Sequence, residues 1–472
     1  MSPKEVISMS RAAQTVDMTL GDPKKRILAF AFPIFLSQLF QQCYNAADTL
    51  IVGKIIGNEA QAAVSSSGSL IFLFISFFVG TGAGAGVVIS RYFGAGDEKK
   101  VSRAVHTAVL IAAICGVILS FVGVLFVPTV LRWMGTPDNV LPQSIEYFRV
   151  YFLGSFASIL YNACTGVLNA VGDSRRPLYY LIFSSVLNVV LDIVFLLVFR
   201  RVAAAAAATV ISQAASVLLC LRQLRKKGTV YCLEWEKLKI DTAMLREILK
   251  NGLPTGVQNS VIGFANVLVQ TNINSFGDMA MSACGSYSKL EGFAFLPITC
   301  FSMALATFIG QNLGAKQYDR ARSGARFGIW TSVIMAEVIG ILMYIFAPLL
   351  IGLFINTQEA GASEILAIGV LQCRTISLFY CLLSFSHCIS GICRGAGKAV
   401  VPMMIMLSVW CIFRIIYITV AMNFSHDIVL LFWAYPITWT ISSVIYLIYY
   451  LKSDWIHAFE RDAEQRADLA SR

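Results

Sequence analysis

The sequence predicts an all-α membrane protein whose twelve transmembrane helices form two six-helix lobes related as parallel repeats. Three observations carry this prediction. The first is composition: of 472 residues, 57% are hydrophobic and 14% charged, with mean hydropathy +0.70. A soluble chain carries charge on about 25% of its residues. The second is the recurrence of apolar stretches long enough to cross ~30 Å of hydrocarbon as helices. Strand-type alternation is absent, which argues against a transmembrane barrel. The third is that the second half of the chain repeats landmarks of the first.

In order along the chain, residues 1–22 are polar and mixed. They lack the short apolar core and small-residue cleavage site of a signal peptide, and read as a tail. The first lobe, 23–223, holds apolar spans at 27–52, 62–90, 102–127, 143–169, 178–199 and 202–223. The last two are joined by a short turn at Arg200 and Arg201. A polar linker, 224–245, leads to the second lobe, 246–452. Its spans are 246–274, 283–310, 324–350, 365–391, 401–422 and 427–451. A charged tail, 453–472, follows.

The net charge of +10 reflects Lys and Arg gathered in alternate loops. That is the signature of orientation in a membrane rather than of nucleic-acid binding. It predicts a multi-pass plasma-membrane protein with both termini cytoplasmic. Lys99, Arg320 and the linker then lie inside, with Gly135 and Glu359 outside. The twelve cysteines are scattered, without a C-x-x-C pair, and the four histidines have no ligand spacing. The cysteines read as small hydrophobes, not as a metal site or a disulfide framework.

The repeat rests on three ordered matches. Pro33 pairs with Pro254, Ile89-Ser-Arg-Tyr-Phe-Gly-Ala95 with Ile309-Gly-Gln-Asn-Leu-Gly-Ala315, and Gly172-x4-Pro177 with Gly397-x4-Pro402. Their offsets are 221, 220 and 225 residues. Two halves in the same membrane orientation are a transporter arrangement. Pro33 also removes a helical N–H and crowds the Ala29 carbonyl, so it is a candidate hinge. The alternative is that it occupies a helix's first turn, where proline is tolerated.

The polar residues inside the spans are the candidates for chemistry. Span 1 carries Gln38, Gln41, Tyr44, Asn45 and Asp48 within about one third of a helix circumference. Span 5 carries Ser184, Asn188 and Asp192 on one face, and span 6 carries Thr209. A carboxylate at bilayer depth costs roughly 2.5–3.5 kcal/mol on insertion scales and normally faces protein or a watery cavity. Two carboxylates, an amide and a hydroxyl can surround a small hard cation such as Na+. Equally, two close carboxyls in low dielectric can share a proton. Hydrogen bonding between helices accounts for Ser184 and Thr209 alone, but poorly for two acids. The second lobe lacks this set: Val269 stands opposite Asp48, and span 7 is amide-rich, with Asn259 and Asn266 among its amides. Coupling chemistry is therefore expected in the first lobe only. Lys289, Glu291, Arg374 and Arg414 are expected either to pair structurally, the favoured reading, or to line a cavity.

Gln41-Gln-Cys-Tyr-Asn-Ala-Ala-Asp48, Leu187-Asn-Val-Val-Leu-Asp192, the Ala-Thr-x-x-Ser-Gln run and the duplicated Gly-Ala turns resemble the MATE (multidrug and toxic compound extrusion) family. The likeness is strongest to DinF-like bacterial members and covers most of the chain. The resemblance implies the fold of the multidrug/oligosaccharidyl-lipid/polysaccharide superfamily, with two bundles around a V-shaped cavity. It implies export of amphipathic organic cations in exchange for Na+ or H+. It maps a cation site, or metal site if the ion is Na+, onto Asp48, Asn188, Asp192 and Thr209, with Tyr44 beside it. Where the family commonly has glycines before the Ala-Thr pair, this chain has alanines, which bears on the placement of Thr209.

The expectation is a cation-coupled exporter acting by alternating access, with Gln38, Gln41, Tyr44, Asn45, Asn259 and Asn266 contacting substrate. No cofactor beyond the coupling ion, no nucleic acid and a monomer in the bilayer are expected. A lipid-linked precursor flippase of the same superfamily needs a cationic cavity, whereas the first-lobe polar set is acidic. An uncoupled receptor or channel does not need two acids. No H-E-x-x-H, phosphate loop or nucleophile with an aligned base is visible, so an enzyme is not expected.

Overall fold

The computed structural model describes residues 17–133, 140–355, 361–461 and 464. Gly135 and Glu359 lie outside these, as do 1–16, 462, 463 and 465–472. Among the described residues every regular element is a helix. The first half runs α1 (Pro23–Ile55), α2 (Asn58–Gly94), α3 (Glu98–Trp133), α4 (Leu141–Leu153), α5 (Ser155–Ala170), α6 (Arg175–Phe199) and α7 (Val202–Leu224). A linker with one 3-10 turn, Trp235–Lys237, precedes the second half. That half runs α8 (Thr242–Asn274), α9 (Asp278–Gly314), α10 (Tyr318–Gly352), α11 (Ala362–Ser377), α12 (Tyr380–Gly395), α13 (Val400–Ile405), a π-helical stretch (Met406–Phe413), α14 (Arg414–Phe424) and α15 (Ile428–Lys452).

Among the described residues, eight spans are long and apolar enough to cross a membrane, Val400–Phe424 counting as one. The pairs α4/α5 and α11/α12, bent by 46° and 53°, add two more. Helices α2 and α8, of 37 and 33 residues, complete the twelve. The repeat is visible in the backbone. Helices α1 and α8 each have 33 residues, and α2 and α9 each have 37. Positive φ recurs at Gly57 and Gly277, at Gly96 and Lys316, and at Gly172 and Gly397. Beside Gly96, the Lys100 backbone N–H donates to Asp97 Oδ1 at 3.0 Å and starts α3. That bond, with the nearby Lys100 ammonium, holds the Asp97 carboxyl below the usual carboxylate range.

The chain divides into two compact units. One contains Phe32–Gly256 and the other Thr19–Ala31 with Val257–Arg472. The changes of unit fall inside α1 and inside α8 rather than in the linker. In α1 the change lies next to Pro33, and in α8 three residues past Pro254. Helix α1 starts at Pro23, so Pro33 lies well inside it and not in its first turn.

Unit 1 is held by close helix contact. Gly80 and Gly84 of α2 meet Gly256 and Gly252 of α8. A Cβ on Gly84 would lie 2.3 Å from the Gly252 nitrogen, and one on Gly80 2.3 Å from Gly256 Cα. The small residues let two backbones touch, the usual way helices associate where lipid removes the hydrophobic drive. Above them, the Tyr92 hydroxyl donates to buried Glu247 at 2.9 Å. The linker packs on α3: His106 bonds the Ser102 carbonyl through Nδ1 at 2.7 Å, and its Nε2 accepts from the Glu234 N–H at 3.0 Å. At the α4/α5 bend, a Cβ on Gly154 would meet Val210 of α7 at 2.1 Å, so only glycine admits this approach.

Candidate functional site

Three helices of unit 1 each contribute two side chains four residues apart, hence on one face. Helix α1 gives Tyr44 and Asp48, α6 gives Asn188 and Asp192, and α7 gives Thr209 and Gln213. Asp48, Asn188, Asp192 and Thr209 are 8%, 1%, 0% and 6% exposed. Asn188 Nδ2 donates to Thr209 Oγ1 at 3.3 Å, tying α6 to α7. The Asp48 and Asp192 carboxyls lie within electrostatic reach of each other. The alanines before Thr209 are among the most buried residues of α7, so the alanine face still seats Thr209 against Asn188. Ser184 does not join; its hydroxyl bonds the Leu181 carbonyl of its own helix at 3.0 Å.

The oxygens of this group are left open. Asp48 Oδ1, both carboxylate oxygens of Asp192 and Asn188 Oδ1 are buried and accept no hydrogen bond from the described residues. A buried carboxylate without a partner is costly, by several kcal/mol in real proteins. The set is relieved by a proton shared between the acids or by a small cation on the oxygens. The donor types, carboxylate, amide and hydroxyl, suit a hard cation. No cluster of three or more His, Cys, Asp or Glu suited to a metal ion occurs among the described residues.

Around the acids lies an aromatic and amide layer. The Tyr44 side chain lies close to those of Gln213 and Gln41, and Ser158 donates to Gln213 Oε1. Tyr147 and Tyr151 of α4 stack at 6.3 Å; Tyr147 lies within electrostatic reach of both acids and of Tyr44. These tyrosines and Ser158 were not singled out in the sequence. An aromatic pair at i, i+4 in an apolar span reads as ordinary packing, and only proximity to the acids marks it. Of the expected substrate contacts, Gln38 and Tyr44 are half-buried, and Gln41 and Asn45 are exposed in unit 1. Asn259 is half-buried and Asn266 exposed in unit 2.

In unit 2, Val269 is 2% exposed and packs in an apolar cluster with Ile273, Cys284 and Phe432. The expected structural pairing of Lys289, Glu291, Arg374 and Arg414 is not what forms: no ion pair joins them among the described residues. Lys289 and Glu291 are two apart on α9 and point away from each other. Glu291 accepts from the Tyr287 hydroxyl at 2.9 Å. Arg374 bonds the Tyr344 carbonyl at 3.4 Å and sits over its ring. Glu337 accepts from the Cys381 N–H at 3.3 Å and so caps α12 at the bend.

A two-unit, twelve-span helical repeat with a buried acid pair in one unit defines a multi-pass membrane transporter. The comparisons specify which kind. The MatE family model matches residues 33–194 and again 254–420, one match in each half. The probable multidrug resistance protein YoeA of Bacillus subtilis is 31% identical over 438 residues, covering 89% of this chain and 92% of that protein. YpnP of the same organism, also a probable multidrug resistance protein, is 28% identical over 401 residues, covering 84% and 87%. An outward-facing multidrug resistance MATE transporter of the MOP superfamily superposes with TM-score 0.86 at 22% identity, covering 95% of this chain and 99% of that one. The chain belongs to the MATE family of transporters.

Proposed function

We propose that this chain is an ion-coupled antiporter of the plasma membrane, with both termini cytoplasmic. It exports amphipathic, mostly cationic organic compounds in exchange for Na+ or H+. The observation that carries the reading is the set of unpartnered buried oxygens on Asp48, Asp192 and Asn188. Two acids without internal cations are stable in low dielectric only when a proton or a cation accompanies them. Occupancy therefore sets the charge at the α1–α6 contact. If one transport conformation keeps the acids together and another separates them, the ion favours the first by its differential affinity. A ligand shifts such an equilibrium only by that difference. Pro33, interior to α1 and beside its change of unit, is the point where the helix bends in response. Gln38, Gln41, Tyr44, Asn45, Asn259 and Asn266 contact substrate. The protein acts as a monomer.

The test uses purified protein in proteoliposomes with ethidium as substrate. Drug movement is followed under an imposed Na+ gradient at fixed pH, then under a pH gradient without Na+. Movement under one gradient names the ion. Asp48→Asn and Asp192→Asn keep the side-chain shape and remove the charge, and both are expected to abolish gradient-driven movement. Wild-type rates for both variants under both gradients would sink the reading.

A further inference from the structure

Helices α1 and α8 are repeat partners, and each starts in one unit and continues in the other. Thr19–Ala31 belongs to unit 2, and α1 from Phe32 onward to unit 1. In α8 the residues up to Gly256 belong to unit 1, and those from Val257 to unit 2. The two starts are built alike. Asp22 Oδ1 accepts from the Lys24 N–H at 3.0 Å, and the Arg26 N–H donates to the Asp22 carbonyl at 3.1 Å. Asp241 Oδ1 accepts from the Ala243 N–H at 2.9 Å, and the Leu245 N–H donates to the Asp241 carbonyl at 2.8 Å. In both, an aspartate satisfies a first-turn N–H and fixes where the helix begins.

Each start is then fastened to its unit by side chains that belong to neither ligand set. In unit 2, Arg320 on the first turn of α10 bonds the two carbonyls that precede the cap. Its Nη2 donates to the Leu20 carbonyl at 3.0 Å, and its Nη1 to the Gly21 carbonyl. Gly21 lies at φ 73°, a turn that suits glycine. Arg26 Nε donates to the same Leu20 carbonyl at 3.1 Å, and Ile27 and Phe30 are fully buried. In unit 1, the Asp241 N–H donates to Thr107 Oγ1 of α3 at 3.1 Å, and Tyr92 of α2 holds Glu247 one turn further along α8. Met244 and Ile248 join the apolar core of that unit.

A guanidinium presents its donors in a fixed fork, so two bonds to successive carbonyls set direction as well as distance. Past Ala31, α1 carries Asp48; past Gly256, α8 carries Asn259 and Asn266. Coupling between sites is carried by rigid elements, and a helix transmits a displacement only when its far end is held. We propose that Arg320 is a positioning residue for ion–substrate coupling, holding the start of α1 on unit 2, and that Tyr92 does the same for α8 on unit 1 through Glu247. The inference rests on the exporter reading and adds to it the residues that set the strength of coupling.

The test measures ethidium binding to purified protein by fluorescence, with and without Na+ at fixed pH, and at two pH values without Na+. The ratio of the two dissociation constants is the coupling factor, on the order of 5–150 where two sites are linked. Arg320→Gln and Tyr92→Phe are each expected to bring that ratio severalfold closer to one while ethidium still binds in the absence of the ion. Arg320→Lys, which keeps the charge and loses the fork, should restore part of it. Arg322→Gln is the control: Arg322 lies 3.8 Å from Asp319 on the same exposed turn, and its loss should leave the ratio unmoved. Thermal unfolding is recorded alongside. A lowered melting temperature with an unchanged ratio means that the anchors only stabilise the fold, and overturns the proposal. Should Arg320→Gln fail to fold, Arg320→Lys and Tyr92→Phe decide, and wild-type ratios in both overturn it. A ratio of one in wild-type protein sinks the exporter reading and the anchors with it; a ratio above one that no variant changes sinks the anchors alone.

Discussion

Asn188 is the residue on which the first-unit site turns. It gives its Nδ2 hydrogen to Thr209 and keeps its Oδ1 free beside the acids. Asn188→Ala loses both functions, whereas Thr209→Val loses only the hydroxyl. A buried hydrogen bond contributes on the order of 1 kcal/mol, and an orphaned partner costs more. Asn188→Ala is therefore expected to raise the ion concentration for half-maximal ethidium export roughly tenfold, and Thr209→Val by less. The double variant should fall short of the summed effects, because the two residues share one bond. Full additivity in a proteoliposome ion titration would show that the bond is not part of the site. Val269, at the matching place in unit 2, packs in an apolar cluster. Val269→Ala is expected to leave the ion titration unmoved.

At the scale of elements, α1 and the contact between α2 and α8 set the predictions. Pro33 lies inside α1, where proline breaks a backbone bond and favours a kink. Pro33→Ala restores the N–H to Ala29 and should stiffen the helix. The expected outcome is intact ethidium binding with slowed export and a weakened ion dependence. Wild-type export and ion dependence in that variant would remove the hinge. Gly84 and Gly252 act differently, through space alone. A Cβ on Gly84 would overlap the Gly252 backbone, while one on Gly82 meets only the Asn162 carbonyl, at 3.9 Å. Gly84→Ala is expected to cost about 1–3 kcal/mol as overpacking, and Gly82→Ala little. Thermal unfolding of both variants in detergent compares them directly; equal melting temperatures would mean that α2 and α8 do not rely on this approach.

For the whole molecule, orientation follows from the Lys and Arg distribution. Lys99→Cys and Arg320→Cys, in a background without native cysteines, are expected to resist an impermeant thiol reagent added outside cells and to react in inverted vesicles. External labelling of Lys99→Cys would reverse the topology. The background requires replacing twelve free cysteines, many of them buried, such as Cys164, Cys220 and Cys388. Alanine or serine at those positions will leave small cavities, so expression is to be checked before labelling.

The sequence by itself determined the fold class, the twelve spans and the repeat, because each is written in local hydropathy, in proline and glycine, and in residue spacing. It also named the two acids, since an ionisable side chain in an apolar span stands out without any neighbour known. Tertiary structure alone decided what those side chains touch. It set Asn188 against Thr209 across two helices, and gave Tyr147 and Tyr151 a place near the acids. It left Arg414 over Tyr435 instead of in an ion pair, and put the change of unit inside α1 and α8 rather than in the linker. Periodicity reports the face a residue occupies on its own helix. Which other helix meets that face depends on packing between segments far apart in sequence, and no local pattern records it.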